Sequence, residues 1–136
     1  MRGVTGAGRR EGARARLVAA GAVAATVAAG LAVRAVAAGD VAKYAGDALY
    51  TVLIYGLVVL VAPRVRPVTA GALALAVSWA IEFAQMTGLP AELSRHSALA
   101  RLVLGSTFNP PDLFWYAVGA SAALLAHLAA RARRRG

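Results

Sequence analysis

Four long apolar stretches follow one another along the chain, separated by short polar or proline-containing breaks. An α-helix rises about 1.5 Å per residue, so that about 20 residues cross the hydrocarbon core of a membrane. The stretches show no apolar–polar alternation with a period of two, which disfavours strands. The pattern therefore predicts four transmembrane helices, at about residues 17–38, 41–62, 68–87 and 113–130.

Prolines lie close to the limits of these stretches. Pro63 and Pro67 separate the second span from the third, and Pro110 and Pro111 precede the fourth. Proline breaks a helix interior but is tolerated in a first turn. The chain is 60% hydrophobic and 15% charged, against about 45–50% and about 25% in soluble domains. We predict an all-α fold, a four-transmembrane-helix bundle that forms one domain over residues 17–130.

Basic side chains are unevenly distributed between the two ends of this bundle. Eleven of the 15 Lys and Arg residues precede the first span, separate the second from the third, or follow the fourth. They are Arg2, Arg9, Arg10, Arg14, Arg16, Arg64, Arg66, Arg131, Arg133, Arg134 and Arg135. The positive-inside rule then places both termini in the cytoplasm, N-in/C-in. The excess of Arg over Lys, with abundant Ala, is typical of a GC-rich bacterial genome, so we predict a multi-pass protein of the bacterial cytoplasmic (inner) membrane.

The two ends of the chain are strongly basic. Residues 1–16 are rich in Gly, Ala and Arg without an apolar period, which predicts a disordered cytoplasmic tail, and residues 131–136 form a second basic tail. Alternatively, residues 1–37 are a signal peptide that ends in the small residues 35–37, and cleavage would leave three spans. The apolar stretch over residues 17–33 is longer than the usual signal-peptide core of about 7–15 residues, which favours retention.

The net charge of +9 invites a nucleic-acid interpretation. The Arg clusters contain no interleaved aromatic residues and no nucleic-acid-binding motif. We expect them to set the topology and to contact membrane lipids through anionic head groups, with no nucleic-acid partner. The absence of Cys excludes disulfides and thiolate metal sites, and two distant His residues disfavour zinc. A metal that bridges carboxylates stays open, but nothing in the spacing requires one, so we expect no metal and no cofactor. Familiar catalytic motifs are missing, and the residues leave open whether a reaction is catalysed.

Polar side chains within the spans lie at one depth, near the end of the bundle opposite the basic clusters. Charged groups inside a membrane are costly and usually face the bundle interior. They occur in the first turns of the second span, near the end of the third and at the start of the fourth. We predict an extracytoplasmic polar pocket for an amphiphilic envelope ligand. Its residues are Lys43, Asp47, Glu82, Gln85, Arg95, Arg101, Asp112 and Tyr116.

The loop that connects the third and fourth spans belongs to the same end. Its middle, residues 91–104, mixes Leu and Val with Arg95, His96 and Arg101. This pattern predicts a short amphipathic helix in the outer loop between helices 3 and 4, lying on the surface or dipping into the bundle. The two arginines would then be counter-charges for the pocket carboxylates.

Each pocket residue also has a purely structural interpretation. Lys43 could extend to the membrane surface, and Asp112 could cap the fourth helix. Glu82 and Gln85 could form an interhelical hydrogen-bonded pair. Three carboxylates at one depth on three helices are harder to explain in this way, because each would be costly without a partner.

At these residues the sequence is similar to DUF2809, a family of small bacterial membrane proteins of unknown function. The similar segments are residues 43–50 (Lys-Tyr-Ala-Gly-Asp-Ala-Leu-Tyr), 81–85 (Ile-Glu-Phe-Ala-Gln), 102–108 (Leu-Val-Leu-Gly-Ser-Thr-Phe) and 112–119 (Asp-Leu-Phe-Trp-Tyr-Ala-Val-Gly), together with Arg95. The resemblance spans nearly all of the chain after the basic tail. It implies the same four-helix architecture.

A more distant resemblance is to the VanZ-like proteins, a group named for a teicoplanin-resistance factor. The matching residues are Asp47, Tyr55, Glu82, Gln85, Arg95, Asp112 and Gly119. Thr51 stands where those proteins have His, and Tyr116 where they have Asn. The resemblance implies an architecture of the same kind and a ligand related to cell-wall precursors or lipids.

The sequence is compatible with three functions. The pocket could bind or process an envelope lipid or a cell-wall-related amphiphile. The chain could instead be a non-catalytic scaffold or partner subunit of an envelope complex, with its charges fixing helix register. A transporter or channel is disfavoured, because the first span is almost wholly Ala and Val and offers no polar path through the cytoplasmic half.

Overall fold

The structure, a computed structural model, describes residues 2–105 and 108–135. Within these residues the chain forms six α-helices, and a 3-10 turn at Gln85–Thr87 follows the third. They are α1 (Arg2–Val36), α2 (Gly39–Val61), α3 (Pro67–Ala84), α4 (Leu89–His96), α5 (Ala98–Leu104) and α6 (Pro110–Arg135). Four segments are long and apolar enough to cross a membrane: α1, α2, α3 with the 3-10 turn, and α6. The predicted all-α fold with four spans is confirmed.

The basic amino-terminal segment differs from the sequence prediction. Disorder is expected over residues 1–16, whereas the structure has residues 2–16 in α1, continuous with the first span. Ala and Arg have high helix propensity, and extending an existing helix avoids the cost of nucleation. These turns also reach the connection between α2 and α3, where a Cβ at Gly8 would lie 2.9 Å from Nη2 of Arg64.

The outer loop contains two short helices rather than the one predicted over residues 91–104. The break lies at Ser97, which is extended (φ −150°, ψ 124°). Its Oγ accepts a hydrogen bond from the backbone N–H of Ala100 at 3.2 Å. Serine favours this N-cap geometry over a helix interior, so it ends α4 and begins α5.

Helix α2 is central to the bundle, since it packs against α1, α3 and α6. The core between these helices is built from small and aromatic residues, including Tyr55, Ala70, Ala74 and Ala123. Small residues allow close backbone approach, which is how helices associate in lipid. Large side chains such as Leu17, Leu31 and Leu125 remain exposed on the outer faces, as expected for surfaces that contact lipid.

The orientation of the bundle gives a prediction for reporter fusions. Four spans place both termini on the same side of the membrane. Fusions after Gly39 and near Ser94 should report an outside location, and a fusion after Pro67 should report inside, because the positive-inside rule assigns the end with eleven basic residues to the cytoplasm. Alkaline phosphatase and a cytoplasmic fluorescent reporter at the same positions measure this. The inverse pattern would contradict the predicted orientation.

Candidate functional site

Glu82 lies at the centre of the polar residues. Its side chain is fully buried. Oε1 accepts a hydrogen bond from the backbone N–H of Asn109 at 2.6 Å, and Oε2 accepts one from the Tyr116 hydroxyl at 2.8 Å. Because Asn109 immediately precedes α6 and Tyr116 lies in its second turn, this carboxylate joins α3 to the start of α6.

Asp112 forms a second connection, between α2 and α6. Its carboxylate oxygen Oδ1 is 2.7 Å from Nζ of Lys43 and accepts a hydrogen bond from Nδ2 of Asn109 at 2.9 Å. Asp112 is nearly fully buried and is the third residue of α6. It therefore does not cap this helix, since Asn109 precedes the helix and Asp112 lies inside its first turn. A carboxylate in a first turn is also favoured by the helix dipole.

Asp47 is the least satisfied of the carboxylates. Its Oδ2 is 3.8 Å from Nζ of Lys43, beyond hydrogen-bond distance. This oxygen is buried and has no hydrogen-bond partner among the described residues, and neither has Oε1 of Gln85. Lys43 thus lies between two carboxylates while two buried acceptors remain unused. The cluster is richer in acceptors than in donors.

A cleft of about 770 Å³ opens beside this cluster. Its polar lining includes Lys43, Asp47, Gln85, Asp112 and Tyr116, and its apolar lining comes from α1, α2 and α5. The apolar residues include Val27, Leu31, Leu53 and Leu102. The cleft therefore places buried charges next to a hydrocarbon-lined surface.

Helix α5 is held over the cleft by hydrogen bonds to its carboxyl-terminal carbonyl groups. The Tyr50 hydroxyl donates to the carbonyl of Val103 at 2.6 Å, and Nε2 of Gln85 donates to that of Leu104 at 2.6 Å. These carbonyls lack intrahelical donors, so side chains of α2 and the 3-10 turn satisfy them. The predicted amphipathic segment thereby becomes a wall of the cleft.

The family model described as "Protein of unknown function (DUF2809)" matches residues 36–120. This match covers more than half of the chain. The chain belongs to the DUF2809 family. No curated protein and no solved structure matches it.

The DUF2809 region contains all of the predicted pocket residues, but the structure does not bring all of them together. Lys43, Asp47, Glu82, Asp112 and Tyr116 form one cluster, and Gln85 lines the cleft beside it. The two loop arginines lie elsewhere. The Arg95 guanidinium is exposed and 3.4 Å from the Glu92 carboxylate, and the exposed Arg101 donates to the Ser94 carbonyl at 3.2 Å.

Two residues that sequence reasoning missed contribute to the site of this DUF2809 protein. Asn109 serves two carboxylates, one through its backbone N–H and one through its side chain. Its position before two prolines at a helix start is a signal that could have identified it. Arg34 of α1 also lines the cleft.

Further polar pairs lie deeper in the bundle. The hydroxyls of Thr51 and Ser78 are 2.8 Å apart and fully buried. The Tyr55 hydroxyl is 2.6 Å from Nδ1 of His127 and also donates to the carbonyl of Pro67 at 3.3 Å. Polar groups therefore extend through α2, α3 and α6 toward the end with the basic clusters. Among the described residues of this DUF2809 protein, no three His, Asp or Glu side chains are grouped so that they could hold a metal ion.

Proposed function

We propose that this DUF2809 protein is a bacterial inner-membrane protein that binds or processes an envelope amphiphile in its cleft, from the extracytoplasmic side. The observation that carries the proposal is the cleft of about 770 Å³, which joins buried polar groups to apolar walls. A ligand that matches both surfaces has a polar head and a hydrocarbon chain. Binding sites of this size are typical for small molecules.

The apolar walls continue onto the lipid-facing surface. Leu31 on α1 and Leu102 on α5 line the cleft, yet their side chains are 63% and 58% exposed. A hydrocarbon chain could therefore lie between α1 and α5 while remaining in contact with the bilayer. This geometry supports a ligand that enters from the membrane rather than from water.

The polar lining indicates the chemistry of the head group. Oδ2 of Asp47 and Oε1 of Gln85 are buried acceptors without a hydrogen-bond partner among the described residues. A head group with hydroxyl or amine donors would satisfy them, and buried polar groups gain most when such a partner is supplied. Arg34, which has no ion pair among the described residues, could contact an anionic group of the same ligand at the cleft wall.

The resemblance to VanZ-like proteins supports a ligand related to cell-wall precursors or lipids. Thr51 and Tyr116, which replace the His and Asn of that group, form hydrogen bonds of their own. Thr51 pairs with Ser78, and Tyr116 donates to Glu82. Of the residues that match that group, Asp47, Gln85 and Asp112 line the cleft.

The proposal predicts that Asp47→Asn abolishes function while leaving the fold intact. The variant removes the charge at nearly constant volume, and Oδ2 makes no hydrogen bond whose loss would destabilise the bundle. In a deletion strain, mass spectrometry of lipids and cell-wall precursors should reveal an altered amphiphile. Wild-type protein should restore its level, whereas Asp47→Asn should not, at equal abundance in the membrane.

Two further variants complete this experiment. Gly46→Leu introduces a side chain into the cleft without changing any charge, since a Cβ at Gly46 would meet no atom within 4 Å, and it should also fail to restore the amphiphile. Glu92→Gln changes an exposed carboxylate outside the cleft and should restore it fully. If all three variants restore the amphiphile equally, the cleft is not the functional site.

The scaffold alternative is favoured by a different observation. The Lys43–Asp112 and Glu82–Tyr116 contacts connect α2, α3 and α6 and would fix their register without any ligand. In that case function depends on a protein partner. Co-purification of one envelope protein with the wild type and with Asp47→Asn alike would support this alternative.

A further inference from the structure

A second groove, of about 510 Å³, lies at the opposite end of the bundle. One wall is the face of α1 that carries Gly8, Arg9, Gly12, Ala13 and Arg16. The other wall is the connection between α2 and α3, residues 62–65. This groove is separate from the cleft described above and shares no lining residue with it.

Three arginines surround this groove without a carboxylate. Arg9, Arg16 and Arg64 line it, and none forms an ion pair with an acidic residue of the described chain. Like charges that share a partly enclosed space repel one another. An anion with several oxygen acceptors would remove this repulsion and would accept charge-assisted hydrogen bonds from the guanidinium groups.

The floor of the groove is open at Gly12, whereas the Arg64 side chain covers it at Gly8. A Cβ at Gly12 would meet no atom within 4 Å, and the nearest atoms at Gly8 belong to the Arg64 side chain. Gly8 and Gly12 are four residues apart and share one face of α1. The space above Gly12, beside these arginines, is therefore unfilled by protein.

The groove lies where the lipid-facing surface begins. Leu17 follows Arg16 directly and is 74% exposed, and Val61, the last residue of α2, is 78% exposed. In a membrane, phosphate groups of phospholipids occupy the layer just outside the hydrocarbon core. An anion carried by a lipid would thus meet the arginines while its chains contact these apolar side chains.

We propose that this groove binds a phosphate group, carried by an anionic phospholipid or free in solution. The site goes beyond the proposed function of the cleft and does not depend on it. Occupancy would fix the first turns of α1 against the connection between α2 and α3, which matches the helical state of residues 2–16.

The decisive variant fills the groove and keeps every charge. Gly12→Leu should weaken binding of phosphatidylglycerol about tenfold, because its side chain occupies the space of the phosphate. A factor of ten corresponds to about 1.4 kcal/mol, on the scale of one charge-assisted hydrogen bond. Native mass spectrometry of the full chain in detergent measures the binding. Gly21→Leu, on the same helix but outside the groove, should bind as the wild type does. Arg133→Gln removes a charge outside the groove and should also have little effect. Circular dichroism confirms that each variant is helical.

Two further ligands, diacylglycerol and inorganic phosphate, identify the source of the phosphate group. Diacylglycerol, which has the same chains without phosphate, should not bind. If millimolar inorganic phosphate displaces phosphatidylglycerol, the groove is a site for the free anion; if it does not, the lipid head group is the ligand. The proposal is overturned if Gly12→Leu binds the lipid as well as the wild type does, or if Arg133→Gln weakens binding as much as Gly12→Leu. It is also overturned if an RNA oligonucleotide displaces the lipid equally from the wild type and from Gly12→Leu.

Discussion

Glu82→Ala should lower the free energy of unfolding by about 2–6 kcal/mol, because it leaves two buried donors without an acceptor and each costs about 1–3 kcal/mol. This is the largest effect expected for any single polar residue of the cluster. The donors are the backbone N–H of Asn109 and the hydroxyl of Tyr116, which is 5% exposed. No other described side chain accepts from either of them. Glu82→Gln retains one acceptor and should have an intermediate effect.

Thermal unfolding in detergent, followed by tryptophan fluorescence, measures this change. Both tryptophans report on the start of α6. Trp79 donates to the carbonyl of Leu113 at 3.0 Å, and Trp115 stacks on Tyr44 with ring centroids 5.4 Å apart. Glu92→Ala is the matched control, because that carboxylate is exposed and its pairs should contribute at most about 1 kcal/mol. Equal unfolding temperatures for Glu82→Ala and Glu92→Ala would exclude the structural role of Glu82.

The fold could be predicted from the sequence because a bilayer leaves few alternatives. A stretch of about 20 apolar residues that must satisfy its own backbone groups in lipid forms a helix. The same constraint predicted that Lys43, Asp47, Glu82 and Asp112 would meet, since each must find a polar partner inside the bundle. The sequence could not predict that α1 continues to Arg2, because its first turns have no apolar period to indicate a helix.

The arginines of the outer loop illustrate a different limit. Arg95 was expected to balance the pocket carboxylates because opposite charges attract. In α4 Arg95 is three residues from Glu92, so the two side chains are neighbours on one helix and can pair without any contact to another helix. Charge balance alone could not distinguish the two partners, whereas the helical spacing favours the nearer one. The break at Ser97 then directs the apolar residues of α5, rather than its arginine, toward the cleft.

For Asn109 the position in the chain is more informative than the residue type. Its backbone N–H donates to Glu82, and backbone donors are the same in every residue except proline. Only the start of α6 at Pro110 makes this particular N–H available, because the first N–H groups of a helix lack intrahelical acceptors. To find the partner of a buried carboxylate such as Glu82, the start of a neighbouring helix is thus more informative than the type of the donor residue.

If the proposed function is right, residues of the cluster differ in role: some stabilise the fold and Asp47 binds the ligand. Glu82 and Asp112 accept two hydrogen bonds or charged contacts each, which join α3 and α2 to α6. Asp47 lies beside the same lysine with an oxygen that no described group uses. Substitution at Glu82 should therefore change stability first, and substitution at Asp47 should change function first. This difference separates the two competing functions by experiment.

Gly119→Ala should destabilise the bundle by about 1–3 kcal/mol, as expected for overpacking between close elements. A Cβ at Gly119 would overlap the backbone carbonyl of Ala48, so α2 and α6 must move apart. Because the overlapping atoms belong to the backbone, no side-chain change at Ala48 can relieve the contact. Gly21→Ala on α1 is the matched control, since a Cβ there meets nothing within 4 Å.

The control should change stability in the opposite direction. Ala in place of Gly in an open helical position stabilises by roughly 0.5–1 kcal/mol. The two Gly→Ala variants should therefore shift the unfolding temperature with opposite signs in the same fluorescence assay. A rise for Gly119→Ala would contradict the close approach of α2 and α6.

Gly119→Ala should also affect the candidate site. Asp112 and Gly119 are seven residues apart, about two turns, on the face of α6 that contacts α2. Separating the helices at Gly119 lengthens the distance between Lys43 and Asp112 as well, so the variant should also fail to restore the amphiphile in the deletion strain. Close helix packing at one small residue thereby positions the charges two turns away.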